Sequence, residues 1–164
     1  SKLQNHEIPL ALVVKKQSDA KFVVKPLIND EVVLIAANSS KIISKNEISI
    51  ANLQSLPLIV QEKDSGMIKL VSSHLEKYNV TPNFVMETGS LDMLKDFVSR
   101  DKALAFVETF AIRDQLKNKQ FKKIKIREGS PFIKLGVCYL RNRKLSTVTQ
   151  SFLNMLDEKG FVAP

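Results

Sequence analysis

Apolar residues fall in short blocks along the chain, and their spacing switches between strand-like and helix-like. Leu10-Ala11-Leu12-Val13-Val14 is apolar on consecutive residues and stops at Lys15-Lys16-Gln17-Ser18-Asp19. That pattern predicts a strand buried on both faces and ending in a polar loop. Phe22-Val23-Val24 and Val32 to Ala37 predict two more strands, separated by the turn formers Asn29-Asp30. From Leu56 the rhythm is regular. Pro57-Leu58-Ile59-Val60 predicts a strand, Glu62-Lys63-Asp64-Ser65-Gly66 a turn, and Met67, Ile68, Leu70, Val71 and Leu75 a helix with Asp64 or Ser65 as its N-cap.

The unit then recurs in kind. Asn83-Phe84-Val85-Met86 predicts a strand, Thr88-Gly89-Ser90 a cap, and Leu91, Leu94, Phe97 and Val98 one helical stripe. Ala103-Leu104-Ala105-Phe106-Val107 predicts a strand followed by a helix through about Lys117. A last strand from about Ile133 to Leu140 precedes a helix carrying Val148, Phe152, Met155 and Leu156, capped by Ser146 and stopped at Gly160. Strands alternating with helices of this length imply an α/β fold with a mainly parallel sheet covered on both faces.

Composition narrows the class. The chain has 164 residues, 44% of them hydrophobic, enough for one substantial core or two small ones. The longest apolar run, Val32 to Ala37, is far below the roughly 18 residues of a membrane span. The opening Ser1-Lys2-Leu3-Gln4-Asn5-His6-Glu7 has no signal-peptide pattern, and the single cysteine, Cys138, sits in an apolar strand and cannot form an internal disulfide. A soluble, cytoplasmic protein without membrane partners is expected. The formal net charge of +8 favours anionic partners. Eleven basic residues lie between Ala111 and Leu145 against Asp114 and Glu128 alone. Lys123-Ile124-Lys125-Ile126-Arg127 alternates as a strand with one exposed face, and few aromatics interleave the charges, so a solvated surface fits better than a nucleic-acid groove.

Catalytic and metal motifs are missing from the sequence. His6 and His74 have no second metal-type ligand at helical spacing, and there is no phosphate-binding glycine loop, dinucleotide fingerprint or nucleophile elbow. Glu87 and Glu108, at strand ends, are the only carboxylates worth weighing as an acid and base pair. No metal, cofactor or catalytic residue is assigned. What remains is binding chemistry at strand-to-helix turns, where helix N-termini present free N–H groups. Asp64-Ser65-Gly66 and Thr88-Gly89-Ser90 occupy equivalent positions of successive units, which favours a site over two unrelated caps.

Leu56-Pro57-Leu58-Ile59-Val60 with Asp64-Ser65-Gly66, then Met86-Glu87-Thr88-Gly89-Ser90, Ala103-Leu104-Ala105-Phe106-Val107 and Tyr139-Leu140-Arg141-Asn142-Arg143-Lys144-Leu145-Ser146 together resemble the effector-binding domain of LysR-type transcription regulators, from roughly Leu3 to Gly160. The resemblance implies a type II periplasmic-binding-protein-like fold, two α/β lobes joined by two crossing strands with an effector in the cleft between them. The first lobe would comprise residues 1–55 and 133–164, and the second 56–132. It implies a small anionic metabolite or oxyanion as effector, bound by Ser65, Gly66, Thr88, Gly89 and Ser90, with Phe106 lining the cleft wall and Glu108 and Lys16 as further contacts. Lobe closure and rearrangement of a dimer or tetramer would then control DNA binding by a winged helix-turn-helix. That head, the linker helix and the first strand and helix of the first lobe would precede Ser1. The chain departs from the family at Arg100-Asp101-Lys102, in place of a glycine-rich entry to the third strand, and at Glu108, in place of a proline. A transport solute-binding protein and an enzyme on the same scaffold, using Glu87 or Glu108, are the alternatives; fold alone does not separate them.

Overall fold

The computed structural model describes residues 1–14 and 20–158. Strands β1 (Ala11–Val14) and β2 (Phe22–Ala37) come first, followed by the short β3 (Glu47–Ile48) and a 3-10 turn at Ile50–Gln54. Next are β4 (Leu58–Val60), α1 (Gly66–Glu76), β5 (Phe84–Glu87), α2 (Leu91–Ser99) and β6 (Leu104–Glu108). A 3-10 turn at Thr109–Ile112 leads into α3 (Arg113–Lys117), β7 (Phe121–Ile126), β8 (Phe132–Leu140) and α4 (Thr147–Glu158). The chain forms two compact units, one of Ser1–Asn29 with Ile133–Pro164 and one of Asp30–Phe132. It passes between them twice, inside β2 and at the start of β8.

The first boundary lies 26 residues before the one the sequence suggests at Ser55, counting from Asn29. The reason is β2. Asn29-Asp30 makes no turn; the strand runs unbroken for 16 residues, and its second half is hydrogen-bonded on both edges within the second unit. The Asp30 carboxylate accepts from the Phe110 N–H at 2.7 Å and the Glu31 carbonyl from the Thr109 hydroxyl at 3.1 Å, so these polar residues are held straight by partners about eighty positions away.

In the second unit the strands lie in the order β3-β7-β2-β6-β4-β5. β4 pairs in parallel with β5 and β6, and β3 with β7, whereas β2 is antiparallel to β6 and β7. The sheet is therefore mixed rather than mainly parallel, because β2 enters at the edge where β6 ends and runs against its neighbours. Val33, Ile35, Ile59, Ala105 and Val107 cluster on one face with Leu94 and Val98 of α2. The residues alternating with them, Leu34, Leu58, Leu104 and Phe106, are fully buried on the other face, as the two-residue period requires. Both faces of these strands are covered.

The entry to β6 shows how this chain manages without glycine. Asp101 adopts φ 55° after the end of α2, and the Lys102 N–H reaches back to the Phe97 carbonyl, closing the helix in the manner a glycine usually allows. The Asp101 carboxylate accepts from the Ser40 hydroxyl and, at 2.6 Å, from the Lys41 N–H. Burial works against its ionisation, yet the bonds from Ser40 and the Lys41 and Ile42 N–H groups, with the Lys41 charge, hold its carboxyl below the usual range.

In the first unit β1 is antiparallel to β8, with Leu12 opposite Val137. β1 is not buried on both faces, since Leu12 is 63% exposed. The inward face of α4 is set by Thr149 and Leu153. Of the apolar residues the sequence places on this helix, Leu156 is half-buried, whereas Val148, Phe152 and Met155 are 81%, 45% and 41% exposed. They fall one helical step from the buried positions. The Ser146 hydroxyl caps this helix by accepting from the Thr149 N–H at 3.2 Å, and the expected stop at Gly160 lies outside the described residues. Gly136 permits the closest approach in this unit: a Cβ there would lie 2.7 Å from the Lys25 carbonyl oxygen and from Val24 Cγ1.

Two substitutions test these constraints. Gly136→Ala forces one backbone away from another and is expected to cost about 1–3 kcal/mol in urea unfolding. Asp101→Asn keeps the shape but loses the charged acceptor, and is expected to cost about 1–2 kcal/mol at neutral pH. Because the folded Asp101 carboxyl titrates low, its stabilisation is present at neutral pH and is lost as pH falls through that folded value. The gap between Asp101→Asn and the parent should accordingly narrow in acid denaturation.

Candidate functional site

Three adjacent parallel strands, in the order β6-β4-β5, deliver their carboxyl ends to one edge of the second unit. Each candidate hydroxyl follows one of them. Ser65 ends the turn after β4 and caps α1, its Oγ accepting from the Ile68 N–H at 3.2 Å. Ser90, after β5, caps α2 by accepting from the Met93 N–H at 3.3 Å. Capping satisfies one orphan N–H per helix and leaves the other first-turn donors and the partial positive charge facing the same edge. Gly66 opens α1 with an ordinary negative φ, and a side chain at Gly89 would meet nothing within 4 Å. The backbone at Gly89 is thus open to approach from outside.

Thr88 is the most buried of these residues. It is 7% exposed, and its Oγ1 accepts from the Ser90 N–H at 3.2 Å while donating to Met93 Sδ at 3.3 Å. Its own N–H bonds the Val60 carbonyl, locking the end of β5 to the end of β4. Glu87 accepts the Lys63 N–H at 2.9 Å and pairs with the Lys63 ammonium at 3.8 Å. It therefore positions the turn carrying Ser65, and both its oxygens are engaged. Glu108 ends β6 opposite Val32, half-buried, and among the described residues its carboxylate has no hydrogen bond or ion pair.

One expected contact is not at this edge. Phe106 is 1% exposed and sits opposite Leu34 in the core, so it supports β6 from within and offers no wall to a ligand. Strand alternation decides this: Phe106 shares a face with Leu104, which is equally buried. Lys16 lies outside the described residues. Met93, 49% exposed in the first turn of α2 and in contact with Thr88, was not singled out by the sequence. Its place one turn after the cap was the available signal. Among the described residues no group of three His, Cys, Asp or Glu could hold a metal ion, and no helix is long and apolar enough to cross a membrane.

Residues 1–160 match the LysR substrate binding domain. The chain belongs to this family. It is 24% identical over 156 residues to the HTH-type transcriptional activator CmpR of Synechocystis, covering 94% of this chain and 51% of CmpR. It thus spans about half the length of that relative. The regulatory domain of CcmR from Synechocystis, solved in complex with 2-PG, superposes with a TM-score of 0.83 at 22% identity, covering 96% of this chain and 76% of that one. The effector-binding domain of QuiR, solved with shikimate, gives 0.79 at 18% identity and covers 97% and 75%. The fold of this LysR-family domain is accordingly the mixed α/β, type II periplasmic-binding-protein-like one.

If Glu87 holds the Ser65 turn, Glu87→Ala should speed exchange of the Lys63 amide hydrogen several-fold, measured by NMR. Overall stability should fall by less than about 1 kcal/mol, because the ion pair itself is exposed.

Proposed function

We propose that this domain senses a small-molecule effector for a LysR-type transcription regulator, with the effector seated at the carboxyl edge of β4, β5 and β6. The observation that carries the reading is the convergence of Ser65, Thr88 and Ser90, with two helix N-termini, on one edge of three neighbouring parallel strands. In open α/β sheets such an edge is where ligands sit. Membership of the LysR family, and effector-type ligands in the CcmR and QuiR domains, support it.

Gly66 and the open Gly89 let an acidic group approach the backbone, while Ser65, Ser90 and Thr88 supply hydroxyls. Glu108, whose carboxylate has no partner among the described residues, adds a requirement that charge alone does not give. A simple anion would meet a carboxylate beside its binding groups, whereas a hydroxy or amino acid would place a donor there. The effector class proposed is therefore a small acid that also carries a hydrogen-bond donor. Ligand-dependent closure and rearrangement of a dimer or tetramer are proposed as the route by which the signal reaches a DNA-binding head in the cytoplasm. No catalytic role is proposed, since Glu87 is committed to Lys63.

A thermal-shift screen of organic acids tests the site, because a ligand at 100 times its dissociation constant adds about 2.7 kcal/mol of stability. Hydroxy or amino acids should outperform their plain counterparts, and Ser65→Ala with Thr88→Val should weaken the hit at least about tenfold. An unchanged affinity in that double variant places the effector elsewhere. Turnover of the hit by the domain would favour an enzyme.

A further inference from the structure

The second unit contains a cavity of about 250 Å³ that draws no residue from the strand-end turns or from Glu108. Its apolar lining comes from Ile42, Ile43, Ile48 and Leu56, of which Ile43 and Ile48 are buried; its polar rim carries Lys45, Asn52 and Arg127. Three stretches of chain meet here: the segment running from Ile42 through β3, the 3-10 turn with its exit, and the residue after β7.

The rim groups are donors, and most of their donor capacity is unspent. Lys45 is exposed and its ammonium makes no hydrogen bond or ion pair among the described residues. Asn52 Oδ1 accepts from the Ser49 N–H at 3.1 Å, which orients the side chain and leaves its amide hydrogens without a partner among the described residues. Arg127 uses its Nε on Glu47 at 3.3 Å, while its backbone N–H bonds the Ile48 carbonyl. Glu47, the only acid in the lining, is compensated at 2.8 Å by Lys125 as well as by Arg127. Two cations and one neutralised acid leave the rim positive.

The frame around these groups is fixed. The Glu128 carboxylate accepts from the Ser49 hydroxyl at 2.6 Å and the Ile50 N–H at 2.9 Å, tying the residue after Arg127 to the start of the turn that carries Asn52. A planar guanidinium, an ammonium and an amide suit a carboxylate, which can accept from two donors side by side. The isoleucine and leucine lining suits a short hydrocarbon body.

We propose that this cavity is a second small-molecule site, taking a monocarboxylate with a short apolar chain. The carboxylate is held by Lys45, Arg127 and Asn52, and the chain lies on Ile43, Ile48 and Leu56. The site is independent of the effector edge proposed above, and its occupant joins the segment before β3 to the end of β7.

Hexanoate and hexanol are the matched probes, titrated into the chain and followed by amide NMR. Hexanoate should shift the amides of Lys45, Ile48 and Arg127 saturably, with hexanol at least about tenfold weaker. Lys45→Ala should weaken hexanoate and leave hexanol unchanged, and Lys45→Arg should restore it. Lys45 is exposed, so the fold is kept, and unchanged shifts elsewhere verify this. Equal affinity of the two probes, no saturable shift, or shifts confined to Ser65, Gly66 and Ser90 would overturn the proposal. Failure of the strand-end site leaves this result readable, because the two sites report through different amides.

Discussion

The second half of β2 is paired on both edges at once, with Val32–Ile35 against β6 and Leu34–Ala37 against β7, and the unit depends on that double antiparallel pairing. A strand bonded on both edges and buried on both faces leaves its neighbours no freedom of register, since a slip by one residue would turn every apolar side chain to the wrong face. With β6 fixed, β4 follows by parallel pairing at Leu58–Leu104, and β5 follows β4. The carboxyl ends that carry Ser65, Thr88 and Glu108 are aligned as a consequence.

The direction of β2 has a second effect. Running against β6, it enters the unit beside the end of that strand, where Asp30 and Glu31 are bonded to Phe110 and Thr109. The chain leaves at the same place, the Val32 N–H bonding the Pro131 carbonyl at 2.9 Å. Entry and exit are therefore both tied to the edge where the candidate hydroxyls lie. A ligand that alters the end of β6 acts on backbone that is one or two hydrogen bonds from both chain crossings, which is a physical basis for coupling occupancy to the rest of the chain.

Local chemistry made the strand-helix units legible. Ser65 and Ser90 cap their helices, and the Thr88-Gly89-Ser90 turn follows its strand, because a capping hydroxyl and a buried apolar run need only nearby residues to act. Long-range pairing was not legible. Asn29-Asp30 has turn chemistry, and only partners near residue 110 reveal why it stays extended. Phe106 lies in a run apolar on both faces, and periodicity cannot say which residue of such a run reaches a site. The cavity beside Arg127 has no signal in the sequence, since it closes only where the stretch from Ile42 to Leu56 meets Arg127, which lies far along the chain.

Among the described residues the large buried side chains are unevenly divided between the two units. Of the twelve largest fully buried side chains among the described residues, Ile133 alone belongs to the first unit and the other eleven to the second. Large exposed apolar side chains occur in both, Leu12, Val148, Phe152 and Met155 in the first unit and Tyr78, Val85, Met93 and Phe132 in the second. Leu12 is the cross-strand partner of Val137, so both side chains leave the sheet on the same face, yet Val137 is buried and Leu12 is open. Three of the four apolar residues that the sequence places on α4 are thus surface, because hydrophobic periodicity marks an apolar face without stating whether anything covers it. In the first unit the absence of a side chain at Gly136 lets two stretches of backbone approach closely, a contact that no larger residue could keep without displacing Lys25 or Val24.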